Sequence, residues 1–228
     1  MRKRLRSREE DETVGDANRI EQAGAVAVVR LDDLSAAVNV AEALIAGGVI
    51  AVEFTFTNPA AGKAIEAAKA AVGDRGYIGA GTVLDPETAR IAILSGAEYI
   101  VTPTLKRETI ELCNRYGVPT IIGAFTATEM LTAWEAGASY IKVHPASLGG
   151  PRYFKDILAP LPQLKLIPSG GVSLDNASDF LRAGAVAVAL GSNLVDAATV
   201  AAGDWATLTE RAKKLSEAIA SVRAERAG

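Results

Sequence analysis

The chain is poor in the residues from which many functional sites are built. One cysteine in 228 residues cannot close an internal disulfide, and one histidine cannot supply the imidazole cluster of most catalytic zinc centres. No metal and no cofactor are therefore expected, and the setting expected is a reducing cytoplasm. A basic excess is missing too. The 24 Lys and Arg stand against 27 Asp and Glu, a net charge of −3, which argues against nucleic acid as a partner. No apolar run reaches the ~18 residues of a membrane span, so no membrane partner is expected. Aromatics make up only 5%, yet 49% of the residues are hydrophobic, enough for the core of one large domain.

The first seventeen residues, MRKRLRSREEDETVGDA, stand apart. They hold no apolar h-region, and their acidic residues fit a transit peptide poorly. They read as a solvated, disordered or non-native tail ahead of a single domain spanning 18–228.

From Asn18 onward, short β-branched runs alternate with alanine-rich stretches of helical period. The runs are AVAVVR (25–30), IAVEFTF (50–56), GYIGAG (76–81), EYIVTP (98–103), PTIIGAF (119–125), SYIKVHP (139–145), LKLIPSGG (164–171) and AVAVALGS (185–192). Eight strand signals alternating with helices indicate a parallel α/β fold, and the count selects a (β/α)8 TIM barrel over an open doubly wound sheet. A weak repeat agrees. Gly48, Gly96, Gly137 and Gly184 end helices and open the phrases GVIAV, GAEYI, GASYI and GAVAV, while IGA recurs at 78–80 and 122–124. Asn58-Pro59 and Asp85-Pro86 carry the cap-then-proline pattern. Asp33 and Thr126 are expected to cap the first and fifth helices.

In such a barrel the chemistry gathers where strands end. Those ends offer Arg30; Glu53, Thr55 and Thr57; Gly79, Gly81 and Thr82; Thr102 and Pro103; Gly123; Lys142 and His144; Ser169, Gly170 and Gly171; and Gly191 and Ser192. Strand alternation groups Tyr140, Lys142 and His144 on one face, and Ala51, Glu53, Thr55 and Thr57 on one face of another strand. If the opposite faces pack on helices, Lys142 and Glu53 point into the lumen. A desolvated lysine gives up its proton more readily and can attack a carbonyl; the competing reading is a lysine that snorkels or pairs with a carboxylate. Glu53 is then a structural ion-pair partner or a general acid/base. The glycines of PSGGV and LGS, each beside a serine, match the loops where barrels bind phosphate through backbone N–H groups. His144 is either a ligand contact or a supporting group. Cys113, Met130, Leu131 and Trp134 read as packing residues. GAGTV (79–83) lacks the rest of a dinucleotide fingerprint.

Taken in order, AVVR (27–30), GGVIAVEFTFTNPA (47–60), GAGTVLDPE (79–87), YIVTP (99–103), YIKVHPASLGGPRYFK (140–155), LIPSGGV (166–172) and LGS (190–192) resemble a known family. It is that of the class I 2-keto-3-deoxy-6-phosphogluconate (KDPG) and 4-hydroxy-2-oxoglutarate (KHG) aldolases. The similarity runs from about Gly24 to Val195. It implies a metal-independent, commonly trimeric Schiff-base aldolase that splits a small 2-keto acid into pyruvate and an aldehyde. Lys142 matches the family's imine-forming lysine and Glu53 its general acid/base. Arg30 and Thr82 match substrate contacts, and Thr55 and Pro103 line the pyruvate end. Ser169, Gly170, Gly171, Gly191 and Ser192 match the end that holds phosphate. Two positions depart from the pattern: many members carry arginine where Thr57 stands, and phenylalanine is usual where His144 stands. A phosphosugar isomerase or epimerase would share the phosphate loops without needing the buried lysine. A non-catalytic trimeric scaffold would need neither Lys142 nor Glu53.

Overall fold

A computed structural model describes residues 18–227; the tail read above at 1–17 lies outside the described residues. A short helix α1 (Arg19–Ala23) leads into β1 (Ala25–Val29), α2 (Ala37–Ala46), β2 (Ala51–Thr55), α3 (Ala61–Val72), β3 (Tyr77–Gly81) and α4 (Pro86–Leu94). The alternation continues through β4 (Ile100–Val101), α5 (Arg107–Arg115), β5 (Thr120–Ala124), α6 (Ala127–Glu135), β6 (Tyr140–Val143) and α7 (Gly150–Leu158). It ends with β7 (Leu166–Pro168), α8 (Ala177–Arg182), β8 (Val188–Leu190), α9 (Ala197–Ala201) and α10 (Trp205–Ala227). All eight strands run parallel in the order β7-β6-β5-β4-β3-β2-β1-β8. A parallel bridge between Ser169 and Ala189 joins the two ends, so the sheet curls into the nearly closed (β/α)8 barrel that the eight runs predict. No helix among the described residues is long and apolar enough to cross a membrane.

Strand alternation divides the core into two layers. Val52, Phe54, Ile78, Ile100, Ile122, Ile141 and Val143 pack outward beneath the helices. Val26, Val28, Ala51, Tyr77, Tyr99, Val101, Ile121, Tyr140 and Ile167 fill the lumen. The rings of Tyr77 and Tyr99 lie 4.9 Å apart at its floor, and buried Ile20 of α1 packs into the same layer. Gly48, Gly96, Gly137 and Gly184 take φ of 91°, 94°, 93° and 109°, the left-handed turn from helix into strand that their shared phrase requires.

The caps are partly as expected. Asp85 accepts from the Thr88 N–H with Pro86 in the first turn, and Thr126 and Glu129 form a capping box on α6. Asp33 does not cap α2, which begins at Ala37 without a side-chain cap. Its carboxylate accepts from the Ser35 N–H at 2.8 Å and closes a turn ahead of the helix. Asn58 also serves a turn. It accepts from the Ala60 N–H and donates to the carbonyls of Leu31 and Asp32 at 3.0 and 2.8 Å, tying the loop after β2 to the loop after β1. The fourth strand is shorter than EYIVTP suggests. Pro103 has no N–H to donate, and the Thr102 hydroxyl accepts from the Gly123 N–H at 3.1 Å where a ladder carbonyl would stand.

Candidate active site

Strands β2 and β6 lie four apart in an eight-stranded barrel, so Glu53 and Lys142 face each other across the lumen. Both are buried, Glu53 1% and Lys142 4% exposed. Each sits beside a glycine in the ladder, Glu53 opposite Gly79 and Lys142 opposite Gly123. A methyl at Gly79 would stand 2.6 Å from Tyr99 Cε1, and one at Gly123 would stand 2.6 Å from the Thr104 nitrogen. The repeated IGA phrase therefore leaves out a side chain at the two places where the Tyr99 ring and the Pro103 loop must enter.

Burial pushes the Glu53 carboxyl above its ordinary range, with the charges of Lys142 and Arg30 pulling back. Burial pushes Lys142 below the ordinary lysine range, opposed by Glu53 and reinforced by Arg30. Both shifts run toward the neutral forms. Among the described residues neither Glu53 oxygen has a hydrogen-bond partner, and the buried Tyr99 hydroxyl has none there either. Buried polar groups that serve structure alone are normally satisfied. A carboxyl left open opposite an amine can exchange hydrogen bonds with a bound molecule.

Above them a cavity of about 240 Å³ opens at the C-terminal ends of the strands. It brings together Arg30, Pro103, Lys142, His144, Ser169, Gly170, Gly171, Gly191 and Ser192. Glu53, Thr55 and Thr82 flank this wall and do not line it. The Thr55 and Thr57 hydroxyls are 2.9 Å apart, and Arg30 donates to the Thr82 hydroxyl at 3.4 Å. Thr82 has φ 54°, a strained conformation for a β-branched residue that costs roughly 1–3 kcal/mol and sets its hydroxyl toward Arg30.

At the rim, Gly170 and Gly171 have φ of 82° and 81°. Asn193 donates to the Val172 carbonyl at 2.8 Å and so links the loops after β7 and β8. The N–H groups of Gly171, Ser192 and Asn193 have no protein acceptor among the described residues, which leaves them open to an anion. Val28, Val172, Ala189 and Asn193 also line the cavity, and sequence reasoning missed all four. Only Asn193 carried a signal, an amide directly after LGS. His144 donates from Nδ1 to the Ser169 carbonyl at 3.3 Å. Burial, Lys142 and Arg30 together hold its pKa below the ordinary histidine value. Cys113 and Met130 are packing residues in the outer layer.

A model of the KDPG and KHG aldolase family matches residues 17–211. The 2-dehydro-3-deoxy-phosphogluconate aldolase of Treponema pallidum is 36% identical over 191 residues, 83% of this chain and 90% of that protein. The 2-dehydro-3-deoxy-6-phosphogalactonate aldolase of Escherichia coli is 40% identical over 67% of this chain and 75% of its own. A solved KDPG aldolase from Legionella pneumophila, with pyruvate captured at low pH as a covalent carbinolamine intermediate, is 29% identical. It aligns with a TM-score of 0.81 over 87% of this chain and 97% of that one. On the family match and the identity to these relatives, the chain belongs to the KDPG and KHG aldolase family.

Proposed function

We propose that this chain is a Schiff-base aldolase that cleaves a 2-keto-3-deoxy-6-phospho sugar acid, or 4-hydroxy-2-oxoglutarate, to pyruvate and an aldehyde. The observation that carries this reading is the buried Lys142–Glu53 pair, opposed across the lumen with both pKa values pushed toward the neutral forms. The free amine of Lys142 attacks the keto carbon C2, and Glu53 gives the proton with which the carbinolamine loses water. The protonated imine is the electron sink, so the chemistry calls for no metal or cofactor. Glu53, now a carboxylate, takes the C4 hydroxyl proton directly or through a water. The C3–C4 bond breaks, its electron pair moves into the imine to give an enamine, and the aldehyde departs. Protonation at C3 and hydrolysis then release pyruvate and regenerate the amine.

Arg30 and Thr82 are the substrate contacts beside the lysine, with Thr55 and Pro103 at the pyruvate end. The open N–H groups near Gly170, Gly171, Gly191 and Ser192 receive the phosphate, with Ser169 beside them. The assembly is a homotrimer, for which Leu84 in the loop before α4 and Ile91 and Leu94 on α4 give exposed apolar surface, 56%, 55% and 69% exposed. A sedimentation mass of one chain would remove that part of the reading. The compartment is the cytoplasm, consistent with one buried, unpaired cysteine.

The decisive experiment is borohydride reduction in the presence of pyruvate. A single reduced pyruvyl adduct is expected on the peptide that contains Lys142. Lys142→Arg should be untrapped and inactive, and Glu53→Gln should lose at least ~10²-fold in rate while still trapping slowly. An adduct on another lysine, such as Lys165, would overturn the assignment of the nucleophile.

A further inference from the structure

His144 is the only histidine in the chain, and none of the steps above uses it. It lies two residues beyond Lys142, in the turn just past the end of β6, about 6.6 Å nearer the mouth by strand rise. There it forms the cavity wall between the lysine and the glycine loops. The Ser169 carbonyl can only accept, so the proton of the neutral ring sits on Nδ1. The Nδ1–Cε1 edge abuts Gly170, where an added Cβ would stand 3.0 and 3.1 Å from these atoms. Nε2 is left with a free lone pair and no protein partner among the described residues. The charged groups facing the ring are Lys142 and Arg30, and both disfavour a second proton on it.

A substrate joined to Lys142 at C2, with its phosphate at the glycine loops, must pass this ring with the carbons beyond the scissile C3–C4 bond. The first of them, C5, bears a hydroxyl in the sugar acids. In 4-hydroxy-2-oxoglutarate it is a carboxylate carbon. We propose that His144 is a fixed hydrogen-bond acceptor that selects substrates bearing a C5 hydroxyl, so that the preferred aldehyde product is a 2-hydroxyaldehyde. A hydroxyl donates to Nε2, whereas a carboxylate oxygen meets the lone pair with no proton between them. The inference rests on the aldolase reading and names the substrate class within it.

The test measures kcat/KM for three substrates: a phosphorylated 2-keto-3-deoxy sugar acid, the same acid without phosphate, and 4-hydroxy-2-oxoglutarate. His144→Phe is expected to lower the value for both sugar acids about 10-fold or more, and to leave 4-hydroxy-2-oxoglutarate unchanged or improved. His144→Gln, whose amide oxygen can stand near the position of Nε2, should recover part of the loss. Equal losses on all three substrates would mean that the ring only supports the wall, and a loss confined to the phosphorylated acid would mean that it binds phosphate. Either result overturns the proposal. Borohydride trapping of pyruvate keeps the two readings apart. No adduct in the unsubstituted protein sinks the aldolase reading itself. Adducts in both proteins with an unchanged substrate ratio sink only the role of His144.

Discussion

Gly81→Ala should disable catalysis while leaving the fold standing. Gly81 ends β3, pairs with Thr55 in the ladder, and has a backbone that alanine can adopt without strain. A methyl there would stand 2.8 Å from Glu53 Cδ and 3.1 Å from Thr55 Cγ2, and closer still to Glu53 Oε1. Carbon atoms pack at about 3.5–4.0 Å, so the carboxyl must withdraw by roughly 1 Å. Glu53 is almost fully buried and cannot swing into solvent to relieve the contact. A misplacement of that size costs on the order of 10²-fold in rate. Overpacking costs about 1–3 kcal/mol, of which about 0.4–1 kcal/mol is offset because alanine narrows the unfolded ensemble. The midpoint of thermal unfolding should therefore fall by no more than about 10 °C. Pyruvate release gives kcat, and a melting curve reports the fold. The combination with Glu53→Gln is the sharper assay. If Gly81→Ala acts only by moving this carboxyl, it should add nothing to the loss from Glu53→Gln. Unchanged kcat in a folded Gly81→Ala protein, or full additivity in the double variant, would refute the role given to Glu53.

Three other outcomes follow from the same geometry. Thr82→Gly should relieve the strain at φ 54° yet remove the hydroxyl that meets Arg30, so turnover should drop with melting temperature unchanged or raised; a parallel loss of both would show the threonine to be structural. The rate of pyruvate trapping should rise with pH as Lys142 loses its proton, with a midpoint below the ordinary lysine value because burial disfavours the ammonium; a midpoint at or above 10.5 contradicts a desolvated amine. Cys113 is buried with its thiol pushed up to about 12, so a thiol reagent should find no reactive group in the folded protein and one per chain in denaturant.

Much of this site was legible because strand period alone decides which side chains share a face. Lys142 and Glu53 follow Tyr140 and Ala51 at intervals of two, and once Ile141 and Val52 are given to the helices no other direction remains. Other features depended on partners distant in the chain. The IGA phrase was visible as a repeat, but its purpose depends on Tyr99 and Pro103 reaching it from the neighbouring strand. EYIVTP has the residue types of a strand throughout, yet β4 is shorter; the early stop comes from a threonine hydroxyl replacing a ladder carbonyl. Asp33 resembled a cap by its position before a helical period, yet a serine two residues on offered its carboxylate a nearer N–H. Asn193 needed the two glycine loops to be adjacent, a fact of barrel closure that no local pattern carries.

The two readings of the buried pair, structural or catalytic, differ in what removing the lysine does to stability. If Lys142 and Glu53 form a charged pair that holds the barrel together, Lys142→Met strands a buried carboxylate and costs about 3–5 kcal/mol. That is a fall of at least about 6 °C in melting temperature for a chain of this size. The structure favours the opposite outcome. Neither Glu53 oxygen is hydrogen-bonded among the described residues, and burial already shifts both groups toward their neutral forms. The lysine is then a liability to the fold, since its folded-state pKa is depressed and folding must displace a proton that the unfolded chain keeps. That penalty is absent above pH 10.5, grows as pH falls toward the depressed value, and is constant below it. Lys142→Met removes it, so the variant should melt at or above the temperature of the unsubstituted protein at neutral pH, and the two curves should converge as the solution becomes strongly alkaline. Melting measured across that range, beside the loss of pyruvate trapping, distinguishes a site kept at the expense of stability from an ion pair kept for it. A large destabilisation by Lys142→Met at neutral pH would show that the charges are paired, and the free amine on which imine formation depends would have to arise in some other way.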